Sequence, residues 1–483
     1  MTKITLLGAG SGFTQPLFTD ILNIEGLDRG VIGLVDIDAK RLNISAKFME
    51  RLLDVMGKKN WKLEVSTDRS KVLRGTDFLI STIEVAGTKT VRLDNDIPEK
   101  YGITQAIGDT IGPGGIMKAL RTLPAFLDIL TDAQKICPQA TILNYTNPMS
   151  IMTLTSNRVT SQPFIGLCHS VQATSRMIAN ILDIPYEEMH WRCGGVNHMS
   201  WFTELTWNGK DMYPKLKEAY YNEELYKREA VRLETLKHFG HFVTESSWHF
   251  SEYVPYYRKR PGQVEKLSEG CPIYKGGGYA DRWPVNRKKH DAKRVRMAKG
   301  QEEIPTKRGH EFAADIIEAH LFNRRTVVYG SVPNTGLIPN LPQTGVVEVA
   351  IMVDKNGFTP TYLGPLPEQV AALCRSNMAV YELTSQGILN HDRESIVHAM
   401  MLDPLSAAIC TPEEIRNMAE DLFRAEKKFI PDWCIARRSV ARKKPKRPQK
   451  ARKIVDGAEQ VSSMAAQAVE EKAASSRKPT NRK

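Results

Sequence analysis

Residues 3–13 read KITLLGAGSGF, a mostly apolar run that ends in glycines at positions 8, 10 and 12. A short apolar run bounded by glycine is the mark of a buried strand. A glycine turn between a strand and a helix offers backbone amides and a helix N-terminus to a pyrophosphate, here through Gly8, Gly10 and Ser11. The third glycine of the G-x-G-x-x-G pattern would fall on Phe13. The turn alone therefore fits a tight bend without a ligand as well as a dinucleotide site.

The next apolar run, VIGLVDID at residues 31–38, adds the missing context. Asp36 closes a second strand where an adenosine ribose would present its hydroxyls, and a carboxylate there repels a 2′-phosphate, so NAD is favoured over NADP. Asp36 and Asp38 both also suit an N-cap before Ala39; one can cap while the other binds ribose. Further apolar runs at residues 78–84, 140–146 and 164–168 alternate with helical stretches such as residues 116–135. This alternation predicts an α/β chain whose residues 1–188 form a Rossmann-type parallel sheet domain. Beyond residue 188 the pattern changes, with an Asn208-Gly209 hairpin signal between strand-like runs. A second, mixed α/β domain is expected over residues 189–434. It would include a helical stretch at 216–239, a very basic interval at 281–300, a strand at 346–354 and C-terminal helices.

Composition limits the function classes. The chain has 483 residues, 41% hydrophobic and 25% charged, as in an ordinary soluble globular protein. Its net charge of +12 is localised: residues 435–483 hold 15 Lys and Arg against 4 Asp and Glu, a surplus of 11 that leaves +1 elsewhere. The tail reads as a basic flexible appendage, so nucleic-acid binding has support only there. Seven cysteines without scaffold spacing fit a reducing compartment. MTKITLLGAG lacks the features of a signal peptide, and no run reaches a membrane span. A cytoplasmic protein is expected, with no membrane partner.

In open parallel sheets ligands gather beyond the carboxyl ends of the strands. This chain puts Gly8, Gly10, Asp36, Asn147 and the Cys168-His169 pair there, and Asn197-His198 could approach from the second half. A cysteine beside a histidine is often only a buried hydrophobe with a neighbour. A thiolate, an imidazole and an amide oxygen together form a metal set that leaves positions for water or a hydroxylated substrate.

Through GAGS, LVDID, GDTIGPGGIMKALRTLP, LNYTNPM, GLCHSV, GGVNHMSWF, FVTESSWHF and VVEVAIMVDKNGFTP the sequence resembles glycoside hydrolase family 4 over residues 3–434. These are NAD- and Mn²⁺-dependent glycosidases whose fold is related to the lactate and malate dehydrogenases. The Cys-His-Ser-Val segment is similar to that of the melibiase branch, the bacterial α-galactosidases. The resemblance implies that Cys168 and His198 ligate Mn²⁺, with Asn147 near metal and substrate. It implies cleavage of a small α-galactoside by oxidation at C3, elimination, water addition and re-reduction, outside the paired-carboxylate scheme of most glycosidases. It makes His169, next to the metal cysteine, the acid candidate. The segment that carries the base in relatives matches residues 241–248, where the nearest position is Ser246 and the adjacent Glu245 is the favoured base, with Tyr253 in reserve. Asp109, in the GDTIGPG block, is expected to hold sugar hydroxyls. His190, His241 and His249 have no assignable partner and default to structural or surface roles. A homo-oligomer is expected. The rivals are an α-galacturonidase, for which an arginine of residues 282–308 could meet a C6 carboxylate, and a 2-hydroxy-acid dehydrogenase, which needs no metal cysteine.

Overall fold

Six strands run parallel in the first part of the molecule: β1 (Lys3–Leu7), β2 (Gly30–Val35), β3 (Trp61–Ser66), β4 (Phe78–Ser81), β5 (Thr141–Asn144) and β6 (Phe164–Leu167). Their order is β3-β2-β1-β4-β5-β6, which reverses direction between β1 and β4, the switch point where doubly wound sheets bind dinucleotides. Residues of β1, β4, β5 and β6 are buried throughout, as strands covered on both faces must be. The register keeps the carboxyl ends level: Leu7 lies opposite Val35 and Ser81, Ser81 opposite Asn144, and Asn144 opposite Gly166. Gly8, Asp36, Thr82 and Tyr145 therefore leave the sheet in one row, level with Leu167 at the end of β6. The structure, a computed structural model, describes residues 1–267 and 276–435; Cys271 and the basic tail beyond residue 435 lie outside the described residues.

The change of pattern near residue 188 falls where parallel pairing gives way to antiparallel. The strands β7 (His190–Val196), β8 (Met199–Trp207), β9 (Lys210–Asp211), β10 (Phe242–Val243), β11 (Thr326–Pro333), β12 (Val346–Asp354) and β13 (Gly357–Pro360) follow. Asn208 and Gly209, at φ 50° and 72°, make the tight β8–β9 turn that their sequence signals. β11 pairs antiparallel with both β6 and β12, which joins everything into one 13-stranded sheet among the described residues. Met1–Ile435 packs as one unit.

The very basic interval folds as the 21-residue helix Gly278–Ala298, packed along the helix Ala39–Val55. No helix among the described residues is long and apolar enough to cross a membrane.

Candidate active site

The glycine turn is shaped by what surrounds it. Gly8 adopts φ 79°, and a Cβ there would come within 2.6 Å of the Thr82 carbonyl oxygen; one on Gly10 would meet Asp36 Oδ2 at 2.8 Å. Backbone thus packs against backbone where a side chain would intrude. Gly12 faces open space, and the following helix, Thr14–Leu22, has no side-chain cap on its first amides. An uncapped helix N-terminus over an open glycine bend fits a pyrophosphate. The two aspartates divide as the sequence allows. Asp38 caps the next helix by accepting from the Lys40 and Arg41 amides, while Asp36 sits at the turn, with Oδ2 accepting the Gly10 amide at 2.8 Å. Ser11 Oγ lies 2.9 Å from Thr82 Oγ1.

At the other end of the same row, Cys168 Sγ lies 3.2 Å from His198 Nε2. His198 arrives from the second half, at the tip of the two-residue turn between β7 and β8, with φ 64°. Glu348 on β12 is fully buried and anchors that turn, accepting from Asn197 Nδ2 at 3.2 Å and Ser200 Oγ at 2.8 Å. His198 Nδ1 meets the Tyr253 hydroxyl at 3.0 Å. Tyr253, the reserve base, therefore fixes the orientation of the His198 ring.

Glu245 Oε2 comes within 3.5 Å of the same Nε2, while Oε1 accepts from the Ser246 amide and hydroxyl, both at 2.7 Å. His249, read from sequence as structural or surface, belongs here too: His198, Glu245 and His249 offer ligand atoms within 4.8 Å of one another. Its Nε2 is buried without a hydrogen-bond partner and lies 3.7 Å from Asp109 Oδ1. A buried unpaired donor or acceptor is costly unless something fills the space. Together with the sulfur, nitrogen and carboxylate donors, it fits a divalent cation.

The electrostatics agree. Burial opposes ionisation of Cys168, yet the neighbouring His198 holds its thiol below the usual range. Burial likewise disfavours charge on His198, but Glu245, Cys168 and Asp109 carry its pKa to about 10. Burial pushes Glu245 up, and His198 and His249 outweigh it, leaving its carboxyl well below the normal range. The thiol and the imidazole thus favour each other's charged forms.

Asp109 joins this cluster to Asn147 and Lys118. Its Oδ2 is 3.4 Å from Asn147 Nδ2 and 3.4 Å from Lys118 Nζ, and Lys118 also pairs with Glu84 at 2.9 Å. His169 has other partners: its Nε2 meets Glu311 Oε2 at 2.9 Å, and its ring stacks on Phe13 with centroids 5.9 Å apart. Burial lowers the imidazole's affinity for a proton, but Glu311 raises it more. Lys118, Glu84 and Glu311 carried no sequence signal, since each acts through a partner distant in the chain.

Residues 3–184 match the model of the family 4 glycosyl hydrolases, and residues 193–406 match that of their C-terminal domain. An α-galactosidase of Bacillus subtilis (strain 168) is 36% identical over 90% of this chain and 100% of its own length. One of Rhizobium meliloti (strain 1021) is 34% identical over 90% of each. An α-galacturonidase of Lachnoclostridium phytofermentans is 30% identical, covering 89% of this chain and 97% of its own. Among solved structures, a 6-phospho-α-glucosidase from gut microorganisms, in complex with NAD and Mn²⁺, superposes with a TM-score of 0.75 at 22% identity, over 89% of this chain and 99% of that one. The chain belongs to the family 4 glycosyl hydrolases.

Proposed function

We propose that this chain is an NAD- and Mn²⁺-dependent α-galactosidase acting on small neutral α-galactosides such as melibiose. The observation that carries the mechanism is the meeting of Cys168, His198 and Glu245 at the end of the row that begins with the glycine turn. The identity to α-galactosidases supports the sugar.

The sugar is oxidised at C3, loses its C2 proton, expels the aglycone from C1, takes up water and is reduced again. Bound NAD⁺ supplies the hydride acceptor and Mn²⁺ the Lewis acid. The residues have distinct tasks. Asp36 receives ribose hydroxyls, and Gly8, Gly10 and Ser11 shape the turn beneath the pyrophosphate. Cys168 and His198 hold the metal. Asn147 and Asp109 orient sugar hydroxyls. Glu245 takes the C2 proton on Oε2, the oxygen that Ser246 leaves free. His169, backed by Glu311, hands a proton to the leaving oxygen.

The charges around Asp109 favour a neutral sugar over a galacturonide. Lys118 is already shared by Glu84 and Asp109, and Glu245 adds a further carboxylate. Of the five arginines in residues 282–308, Arg294 bonds the glycine turn, Arg296 bonds Glu302 and Arg308 bonds Asp315, while Arg287 lies against the segment after β4. A C6 carboxylate placed beside Asp109 and Glu245 would meet like charge. A cytoplasmic setting suits a metal thiolate and free cysteines, and a homo-oligomer remains part of this proposal on the family resemblance.

The test is a panel of nitrophenyl α-galactoside, α-galacturonide and α-glucoside, each with and without NAD⁺ and Mn²⁺. Cleavage of the galactoside only with both additions is expected. Preference for the galacturonide would overturn the substrate, and cleavage without NAD⁺ would overturn the mechanism.

A further inference from the structure

The basic helix Gly278–Ala298 crosses from the second half of the chain to the glycine turn of the first. Near its end Arg294, itself buried, donates to the Gly10 carbonyl at 3.1 Å, to Ser45 Oγ at 3.0 Å and to the Ser11 carbonyl. Asp291 pairs with Arg41 at 3.2 Å, and Arg41 also donates to the Gly10 carbonyl. The helix is thereby fastened over the switch point.

Arg287 lies about two turns before Arg294 and so on the same side of the helix. Its guanidinium rests against the loop that follows β4: a Cβ on Gly87 would come within 2.7 Å of Nη1. Asp36, past the end of β2, and Glu84, past the end of β4, both act on its charge. It thus lies beside the segment that follows the carboxyl end of β4. Among the described residues it has no hydrogen-bond or ion-pair partner, although it is half-buried. Burial disfavours its charge and nearby Arg41 adds repulsion, which Asp291, Glu84 and Asp36 oppose. A forked donor with no acceptor, held beside another guanidinium, is arranged for an anion with paired oxygens.

We propose that Arg287 is a ligand of the dinucleotide pyrophosphate, closing from above the site whose floor is the uncapped start of the helix Thr14–Leu22. This rests on the NAD-dependent function proposed above. The ligand class is a diphosphate diester rather than a ribose 2′-phosphate, because Asp36 stands on the ribose side and repels an anion there.

Calorimetric titration of the full-length chain with NAD⁺, ADP, adenosine and NADP⁺, in parallel with Arg287→Ala and Arg287→Lys, tests this. Arg287→Ala is expected to weaken NAD⁺ and ADP roughly 10-fold or more, the loss typical of a charge-assisted bond, and to leave adenosine within about twofold. Arg287→Lys should recover part of the loss, since it keeps the charge without the fork. Unchanged NAD⁺ and ADP affinity in Arg287→Ala overturns the assignment. So does an equal loss for adenosine, which would mean a packing role, or a loss confined to NADP⁺, which would mean a 2′-phosphate contact. Failure of the unaltered chain to bind NAD⁺ would overturn the functional proposal together with this one.

Discussion

Cys168 shows how little one residue says until its partner arrives. In sequence it is a cysteine at the end of an apolar strand; in space its sulfur faces an imidazole 30 residues on, beside a carboxylate from residue 245. Cys168→Ser is expected to weaken Mn²⁺ binding by more than about 10-fold, since even outer-shell changes cost that much. Titration of free Mn²⁺ by electron paramagnetic resonance measures this, and unchanged affinity would remove Cys168 from the metal. Glu245→Gln tests the neighbouring role. It should lower kcat at saturating Mn²⁺ about 100-fold, the usual worth of a positioned base; a kcat fully restored by saturating Mn²⁺ would make Glu245 a metal ligand instead. Asp36→Ala is expected to narrow the preference for NAD⁺ over NADP⁺ in binding assays, with an unaltered ratio counting against ribose recognition.

The elements explain which parts were legible in the sequence. β1, β2, β4, β5 and β6 read clearly because strands covered on both faces are apolar runs. β3 did not, because its outer position leaves Lys62 and Glu64 exposed and dilutes the pattern. The helix Gly278–Ala298 was hidden by its own charge, with few buried positions to reveal a period. Of the site, the glycine turn, Asp36, Asn147 and Cys168 were legible because strand ends announce them. His249 and Glu311 were not, since only tertiary packing brings them in. Two elements give further tests. Glu348 holds both flanks of the His198 turn, so Glu348→Ala leaves the buried Asn197 amide without its acceptor, while Ser200 Oγ keeps the Val196 carbonyl, and should cost about 1–3 kcal/mol in denaturant unfolding. Mn²⁺ affinity should fall with it, and a variant as stable as the parent would contradict the anchoring role. Asp403 caps the helix Pro404–Ile409, and burial pushes its carboxyl up to about 6. The unfolded chain releases that proton first, near pH 4. Stability from this group is therefore complete below about pH 4 and is lost as pH rises toward 6, by up to about 3 kcal/mol. Asp403→Asn should flatten the slope of stability between these pH values; an identical slope in both proteins would contradict the assignment.

Across the whole molecule, one sheet carries a nucleotide half and a metal half to a single row of strand ends, and chemistry requires both. Hydride leaves the sugar and returns to it within a turnover, so NAD⁺ is needed in catalytic amounts and no NADH should accumulate as product forms. NADH rising in step with substrate loss would instead indicate a plain dehydrogenase. The most direct measurement follows the C2 hydrogen, which elimination must remove and direct displacement never touches. An α-galactoside deuterated at C2 is turned over in ordinary water, and the released galactose is weighed by mass spectrometry. Loss of the deuterium to solvent, seen only when NAD⁺ is present, is the predicted result. Galactose that keeps its full label, formed equally fast without NAD⁺, would contradict it.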